Sequence, residues 1–336
     1  METYFTALAA GADLPPVYQW GIELIRAFQS VSSPALTAAA VAITRIGDPL
    51  AYIVLLAVLY WCVDERSGFR IAVTVFLCNG LNITLKETLR VQRPFTHYPD
   101  LALIRETGWA TPSGHAQNAA AFWPLAARLF LPSQTAEKTL TVSAGPGLRL
   151  VILLAAVLPP LAIGLTRIYL GVHYPTDVLF GWTIGFLVSL AVLFALPVLE
   201  RLFTPLIEAA SASARSAGRN PRVLGFAAAA LGAGILNAGT GTDTSMGGAF
   251  FGFVAGYTLL VTGTQTYRAA AHCFRHKILR ALIGLGLTAL IYFGLAALGP
   301  DKGSQWYPLF RFLRYALTAF QAAWIAPVLF MKLKLA

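Results

Sequence analysis

Charge is what this chain has least of. Asp, Glu, Lys and Arg make up 12% of its 336 residues, and only 15 of them are acidic. A soluble domain carries about 25%, so a fully water-exposed globular surface is excluded. Cysteine is nearly as scarce. Cys62, Cys78 and Cys273 form no Cys-x-x-Cys pair and each has an apolar or aromatic neighbour. That spacing speaks against a disulfide framework or a thiolate metal site, and the three read as small buried residues. The first residues lack a basic region followed by an apolar run and a small-residue cleavage site, so no removable signal peptide is expected. Neither an internal repeat nor a low-complexity stretch stands out.

Apolar residues fill the space that charge leaves. They make up 57% of the chain, and the mean hydropathy is +0.66. Runs such as Val151–Leu165 and Val178–Leu196 approach the roughly 20 residues that cross a hydrocarbon core. The expected fold is all-α, a polytopic transmembrane helical bundle. Spans are expected at 50–64, 69–87, 113–131, 148–166, 176–198, 222–238, 245–265, 279–299 and 311–331, with a marginal tenth near 33–47. Ile22 to Phe28 is amphipathic and suits a membrane surface. In chain order this divides into an interfacial segment with a possible first span (1–48), a transmembrane core (49–200), a polar connection (201–221) and additional transmembrane helices (222–336).

Three short segments carry the chemistry: Lys86-x6-Arg93-Pro94, Pro112-Ser113-Gly114-His115, and Arg167-x5-His173-x3-Asp177. Alternating the spans puts all three on one side of the membrane. Of the 25 lysines and arginines, 15 fall in loops on the other side, against five non-motif cations on the motif side. The positive-inside bias makes that other side cytoplasmic, so the site is expected on the extracytoplasmic face of a cell (inner) membrane. The net charge of +10 is thereby explained without nucleic acid.

Phosphoryl transfer needs a positioned nucleophile, an acid for the leaving group and cations around three equatorial oxygens. Lys86, Arg93 and Arg167 can supply the cations, the arginines with forks that match phosphate oxygens. Ser113 and Gly114 open a helix after Pro112, so their backbone N–H groups can face an anion. His115 is placed to protonate a leaving oxygen. His173 and Asp177 lie four apart, so on a helical turn the carboxylate can fix one imidazole tautomer and leave the other nitrogen free to attack phosphorus. Singly, each piece has a plainer reading: snorkelling cations, an ordinary helix cap, a structural histidine. Their joint occurrence on one side of the membrane outweighs those readings.

Together these segments resemble the signature of the type 2 phosphatidic acid phosphatase (PAP2) superfamily: K-x6-R-P, P-S-G-H and S-R-x5-H-x3-D. The resemblance covers roughly residues 40–198. It implies a metal-independent phosphatase that works through a phosphohistidine and needs no cofactor. His173 would be the nucleophile, Asp177 its orienting partner and His115 the general acid, with Lys86, Arg93, Ser113, Gly114 and Arg167 binding the phosphoryl group. One position departs: Thr166 stands where the family usually has serine. The extra C-terminal spans resemble the layout of sphingosine-1-phosphate phosphatases in length only. The motifs are weak on substrate, leaving phosphatidate, phosphatidylglycerophosphate, a sphingoid phosphate or a polyprenyl diphosphate. A phosphotransferase with a lipid or sugar hydroxyl as acceptor would use the same histidine. A non-catalytic lipid-binding or transport protein on this scaffold is disfavoured by the intact His115, His173 and Asp177.

Three further features carry less. Gly248, Gly252 and Gly256 recur every four residues, which suits close helix packing within the chain or a homodimer contact. His272 and His276 are spaced for a metal but lack carboxylate or cysteine company, so a solvated basic loop is expected. Trp306-Tyr307 reads as an interfacial anchor.

Overall fold

The structure is a computed structural model that describes residues 14–129, 145–195, 220, 222–271 and 273–336, with isolated positions between 197 and 209. The regular elements among the described residues are all helical. In chain order they are α1 (Pro16–Gln29), α2 (Pro34–Arg45), α3 (Pro49–Val58), α4 (Glu65–Leu89), α5 (Pro94–His97), α6 (Gly114–Arg128), α7 (Pro146–Tyr169), α8 (Pro175–Leu190), α9 (Arg222–Thr240), α10 (Ser245–Val261), α11 (Phe274–Ala297), α12 (Tyr307–Phe320) and α13 (Ala326–Lys332). Single wide π-turns extend α3 over Leu59–Val63 and α8 over Ala191–Ala195, and join α12 to α13 over Gln321–Ile325.

By length and composition, six helices among the described residues can cross a membrane, and the pair α2–α3, bent by 51°, makes a seventh if taken as one span. This is fewer than the nine or ten crossings expected. Two of the expected spans are helices of only 15 residues (α6) and 17 residues (α10). In α6 the reason is visible: Gln117 and Asn118 are buried against protein rather than facing lipid. The bend between α2 and α3 falls at Ile46-Gly47-Asp48-Pro49, where a proline disfavours helical backbone in the residue before it. Leu150, Val151 and Leu153 of α7 are each more than half exposed, as lipid-facing positions are.

The described residues belong to two compact units. One lies within Met1–Ala51 and Thr84–Leu190, the other within Tyr52–Ile83 and Ala191–Ala336. Residues 52–83 therefore group with the C-terminal helices rather than with the rest of the 49–200 segment. Most of the expected connection, 201–221, lies outside the described residues, as does His272.

In the first unit α6 packs along α7 and α8, with α1 and α2 laid against α7. The amphipathic α1 buries Ile22 and Ile25 in this core, while Val17 and Trp20 nearer its start stay exposed. Gln29 Nε2 ties it down by donating to the carbonyls of Leu101 and Tyr169 at 2.9 and 2.8 Å. In α7, Gly164 leaves room for the Trp182 indole, whose Nε1 donates to the Pro160 carbonyl at 2.9 Å.

In the second unit α10 is the central helix, in contact with α9 and α12. A Cβ on Gly248 would strike the Phe312 carbonyl, one on Gly252 the Ala316 carbonyl, and one on Gly256 would lie 2.8 Å from Ala323 Cβ. The glycine stripe is therefore filled by α12 and its continuation, which is the packing-within-the-chain reading; this face is not left open for a second copy. Arg280 of α11 is fully buried. It donates to the carbonyls of Trp61, Ala269, Ala271 and Leu335 at 2.8 to 3.0 Å, beneath the Tyr267 ring. Cys62 and Cys78 are buried as expected, whereas Cys273 is exposed.

Gly252→Ala is expected to lower the melting point of detergent-solubilised protein, since overpacking costs about 1–3 kcal/mol. Gly286→Ala, in open space on α11, should leave the melting point unchanged or raise it, because alanine gains about 0.5–1 kcal/mol over glycine within a helix.

Candidate active site

The three motif segments meet inside the first unit, and local backbone rules place them. Helix α7 ends in a Schellman cap: the Gly171 amide donates to the Ile168 carbonyl at 3.0 Å and the Val172 amide to the Arg167 carbonyl at 3.3 Å. Gly171 is left-handed with φ 71°, and a Cβ there would collide with the Leu101 carbonyl. That turn returns the chain so that His173 follows closely behind Arg167. Pro175 then starts α8, with Asp177 as its third residue. Asp177 Oδ2 accepts the Tyr174 amide at 2.8 Å, the acidic half of a capping box. The x3 spacing between His173 and Asp177 is thus the spacing of a helix start.

Asp177 is fully buried. Besides the Tyr174 amide it accepts the Thr111 hydroxyl on Oδ1, and Oδ2 faces His173 Nδ1 at 3.4 Å. On the other side of the ring, Arg93 Nη1 lies 3.2 Å from His173 Nε2. A guanidinium only donates, so Nε2 is the acceptor and the proton sits on Nδ1, toward the carboxylate. Burial first, and then Arg93, Lys86 and Arg167, hold the His173 imidazole well below its usual 6.5. The ring is accordingly neutral, with an in-plane lone pair on Nε2.

The cations converge on this ring. Arg93 also donates to the carbonyls of Gly108, Val172 and Thr107 at 2.9 to 3.0 Å. Lys86 Nζ donates to the carbonyls of Trp109 and Ala110. Arg167, fully buried, donates from Nη1 to Thr44 Oγ1 at 2.8 Å. One carboxylate joins the two arginines: Glu106 pairs with Arg93 Nη1 at 3.2 Å and with Arg167 Nη2. Burial would raise the Glu106 carboxyl, but Arg167, His115 and Arg93 more than offset it and keep it below its usual value.

The Pro112–His115 segment departs in part from expectation. The Ser113 amide does not face an anion; it donates to the Asp177 carbonyl at 3.0 Å. The Ser113 hydroxyl is instead buried with no hydrogen-bond partner among the described residues. Gly114, first in α6, keeps an amide that has no partner within the helix. His115 Nε2 lies 2.9 Å from Asp48 Oδ1, and Gly47 is held against its ring. Thr166 turns its hydroxyl to the Ile163 carbonyl of its own helix at 2.6 Å, away from the other motif residues.

Glu106, Asp48, Thr111 and Thr44 did not stand out in the sequence. Two of them left a signal. Asp48 is an acid at a Gly-Asp-Pro break between apolar helices, and Glu106 is an acid in the loop linking the first two motifs on the motif side. Thr111 and Thr44 carry no such mark. Among the described residues no group of three or more His, Cys, Asp or Glu is arranged to hold a metal ion.

Residues 67–199 match the family described as the PAP2 superfamily, and residues 244–336 match the PAP2 superfamily phosphatase, transmembrane extension. The chain belongs to the PAP2 superfamily, as an all-helical, multi-pass membrane protein. Phosphatidylglycerophosphatase B of Bacillus subtilis (strain 168) is 37% identical over 111 residues, which are 32% of this chain and 47% of that protein. Glucose-6-phosphatase 3 of Mus musculus is 30% identical over 157 residues, 43% of this chain and 44% of that protein. The chain thus spans about half the length of the curated relatives it matches. A crystal structure of a transmembrane PAP2 type phosphatidylglycerolphosphate phosphatase from Bacillus subtilis aligns with a TM-score of 0.43 at 25% identity, covering 56% of this chain and 90% of that one.

The depressed proton affinity of His173 has a direct readout. The ring should gain its second proton only as pH falls below that of an ordinary imidazole, about 6.5. In histidine-labelled protein, nitrogen NMR should show His173 neutral and Nδ1-protonated at pH 6. A cationic ring at that pH would contradict the arrangement.

Proposed function

We propose that this protein is a membrane phosphatase that hydrolyses a lipid phosphomonoester or diphosphate through a phosphohistidine. The observation that carries the reading is the buried His173 ring set between Asp177 at Nδ1 and Arg93 at Nε2, with Arg167 joined to Arg93 through Glu106. In the first step Arg93 turns its Nη1 donor from Nε2 to a phosphoryl oxygen, Nε2 attacks phosphorus and the bond to the leaving oxygen breaks. Asp177 then faces a positive imidazole and stabilises it. The arginines, Lys86, the Ser113 hydroxyl and the Gly114 amide receive the equatorial oxygens, where charge gathers in the transition state. His115, held by Asp48 at 2.9 Å, is the group that passes a proton to the leaving oxygen and afterwards takes one from the water that hydrolyses the phosphohistidine.

A lipid substrate is favoured because this site is built from the ends of apolar helices, within reach of a headgroup at the membrane surface. Phosphatidylglycerophosphate is the first substrate to try, since one relative is named for it. Glucose 6-phosphate belongs beside it, because another relative is named for that reaction. The loop charges favour an extracytoplasmic site.

Detergent-purified protein should release phosphate from at least one of these lipids with EDTA present. His173→Ala should lower kcat by about 10³-fold or more, the scale at which removal of a nucleophile acts. Rapid quenching should trap an acid-labile, base-stable phosphoprotein that the variant does not form. Release from glucose 6-phosphate alone would overturn the lipid assignment, and undiminished activity in His173→Ala would overturn the nucleophile.

Orientation can be read with the exposed Cys273. A membrane-impermeant maleimide should leave Cys273 unmodified in intact cells and label it once the membrane is opened. In a Cys273→Ser background, Ser304→Cys should label in intact cells. The reverse pattern would place the site on the cytoplasmic face.

A further inference from the structure

Glu106 occupies the position that the proposed reaction assigns to substrate oxygens. Its carboxylate spans Arg93 and Arg167, the two residues best shaped to grip phosphate. The four residues after it hold the rest of the cationic set, with Thr107 and Gly108 on Arg93 and Trp109 and Ala110 on Lys86. The Ser113 hydroxyl, on the segment tied to Asp177 through its amide, is fully buried with no partner among the described residues, a donor that Glu106 does not use. Any phosphoryl group that reaches both arginines must displace this carboxylate.

We propose that Glu106 is a specificity-determining residue, an internal carboxylate that only a terminal phosphoryl group, of a monoester or a diphosphate, displaces well and that keeps the membrane's own phosphodiester lipids out of the site. This rests on reading Arg93 and Arg167 as the phosphoryl seat. A phosphodiester offers one negative charge and two free oxygens, the same as the carboxylate already in place. Exchange would gain no charge pairing, and the tethered carboxylate has the advantage of high local concentration. A phosphomonoester carries about 1.5 to 2 negative charges at neutral pH and a third free oxygen. It therefore gains over Glu106 on both arginines and has an oxygen left for Lys86 or the Ser113 hydroxyl. Discrimination of this kind works by an obstacle to the wrong ligand rather than by extra contacts to the right one. The obstacle has a purpose here, since any site at a membrane surface is bathed in phosphodiester headgroups.

The test compares wild type with Glu106→Gln and Glu106→Asp in dodecyl maltoside micelles. It follows hydrolysis of a radiolabelled lipid phosphomonoester while phosphatidylglycerol, a phosphodiester, or inorganic phosphate is added. In wild type phosphatidylglycerol should inhibit weakly. In Glu106→Gln it should become a competitive inhibitor at least about tenfold tighter, and inorganic phosphate should also bind more tightly. Glu106→Asp keeps the charge on a shorter arm, and should fall between the two; it carries the test if the glutamine variant does not fold. Phosphatidylglycerol inhibition unchanged from wild type, or weaker binding of inorganic phosphate, would overturn the proposal and leave Glu106 as a brace for the arginines. If wild type neither releases phosphate nor binds it, the phosphoryl seat itself is misread, whatever Glu106 does.

Discussion

The buried carboxylate of Asp177 is the constraint on which the rest of the site depends. A carboxylate inside an apolar bundle is tolerated only when donors surround it. Here they come from three directions: the Tyr174 amide at the start of α8, the Thr111 hydroxyl just before the second motif, and His173. Its backbone carbonyl accepts the Ser113 amide as well. One residue thus caps a helix, anchors the neighbouring motif and fixes the imidazole tautomer. The solvation requirement of the carboxylate and the positioning requirement of the histidine are met by the same set of contacts.

On the opposite face of the imidazole, Arg93 has an equally plural role. Its donors reach His173, the Val172 carbonyl and the loop that carries Glu106. The loop's carbonyls and Glu106 supply the acceptors that a cluster of buried cations requires. The cations and the loop therefore stabilise each other, and the cationic set is held together by groups that a ligand can replace.

Much of this was legible in the sequence, because it depends on local rules. Apolar runs marked the helices, and the four-residue offset of His173 and Asp177 followed from a helix start. The motif segments do meet, with Lys86, Arg93, Arg167, His173 and Asp177 gathered as their spacing suggested. What was not legible depends on long-range contact. The Asp48 pairing with His115 joins residues 67 apart in sequence, and Glu106 reaches Arg167 from a loop without regular structure. Ser113 was assigned its backbone amide when the hydroxyl is the free donor, since the amide's acceptor lies on another helix. The short α6 was read as a full span because its polar residues, buried against protein, leave the same hydropathy trace as a weak membrane helix. The glycine stripe of α10 was ambiguous for a different reason: small residues announce a close neighbour without saying whose helix it is.

The Schellman cap at the end of α7 also changes how the third motif should be understood. The interval between Arg167 and His173 is a length of chain consumed by one helix cap, which turns the backbone through a fixed angle. Side chains at 168, 169, 170 and 172 can vary within the limits of packing, but the number of residues cannot. An insertion or deletion of one residue there would rotate the imidazole away from the guanidinium while leaving every motif residue present. The motif works as a ruler, with the left-handed Gly171 as the mark from which the distance is set.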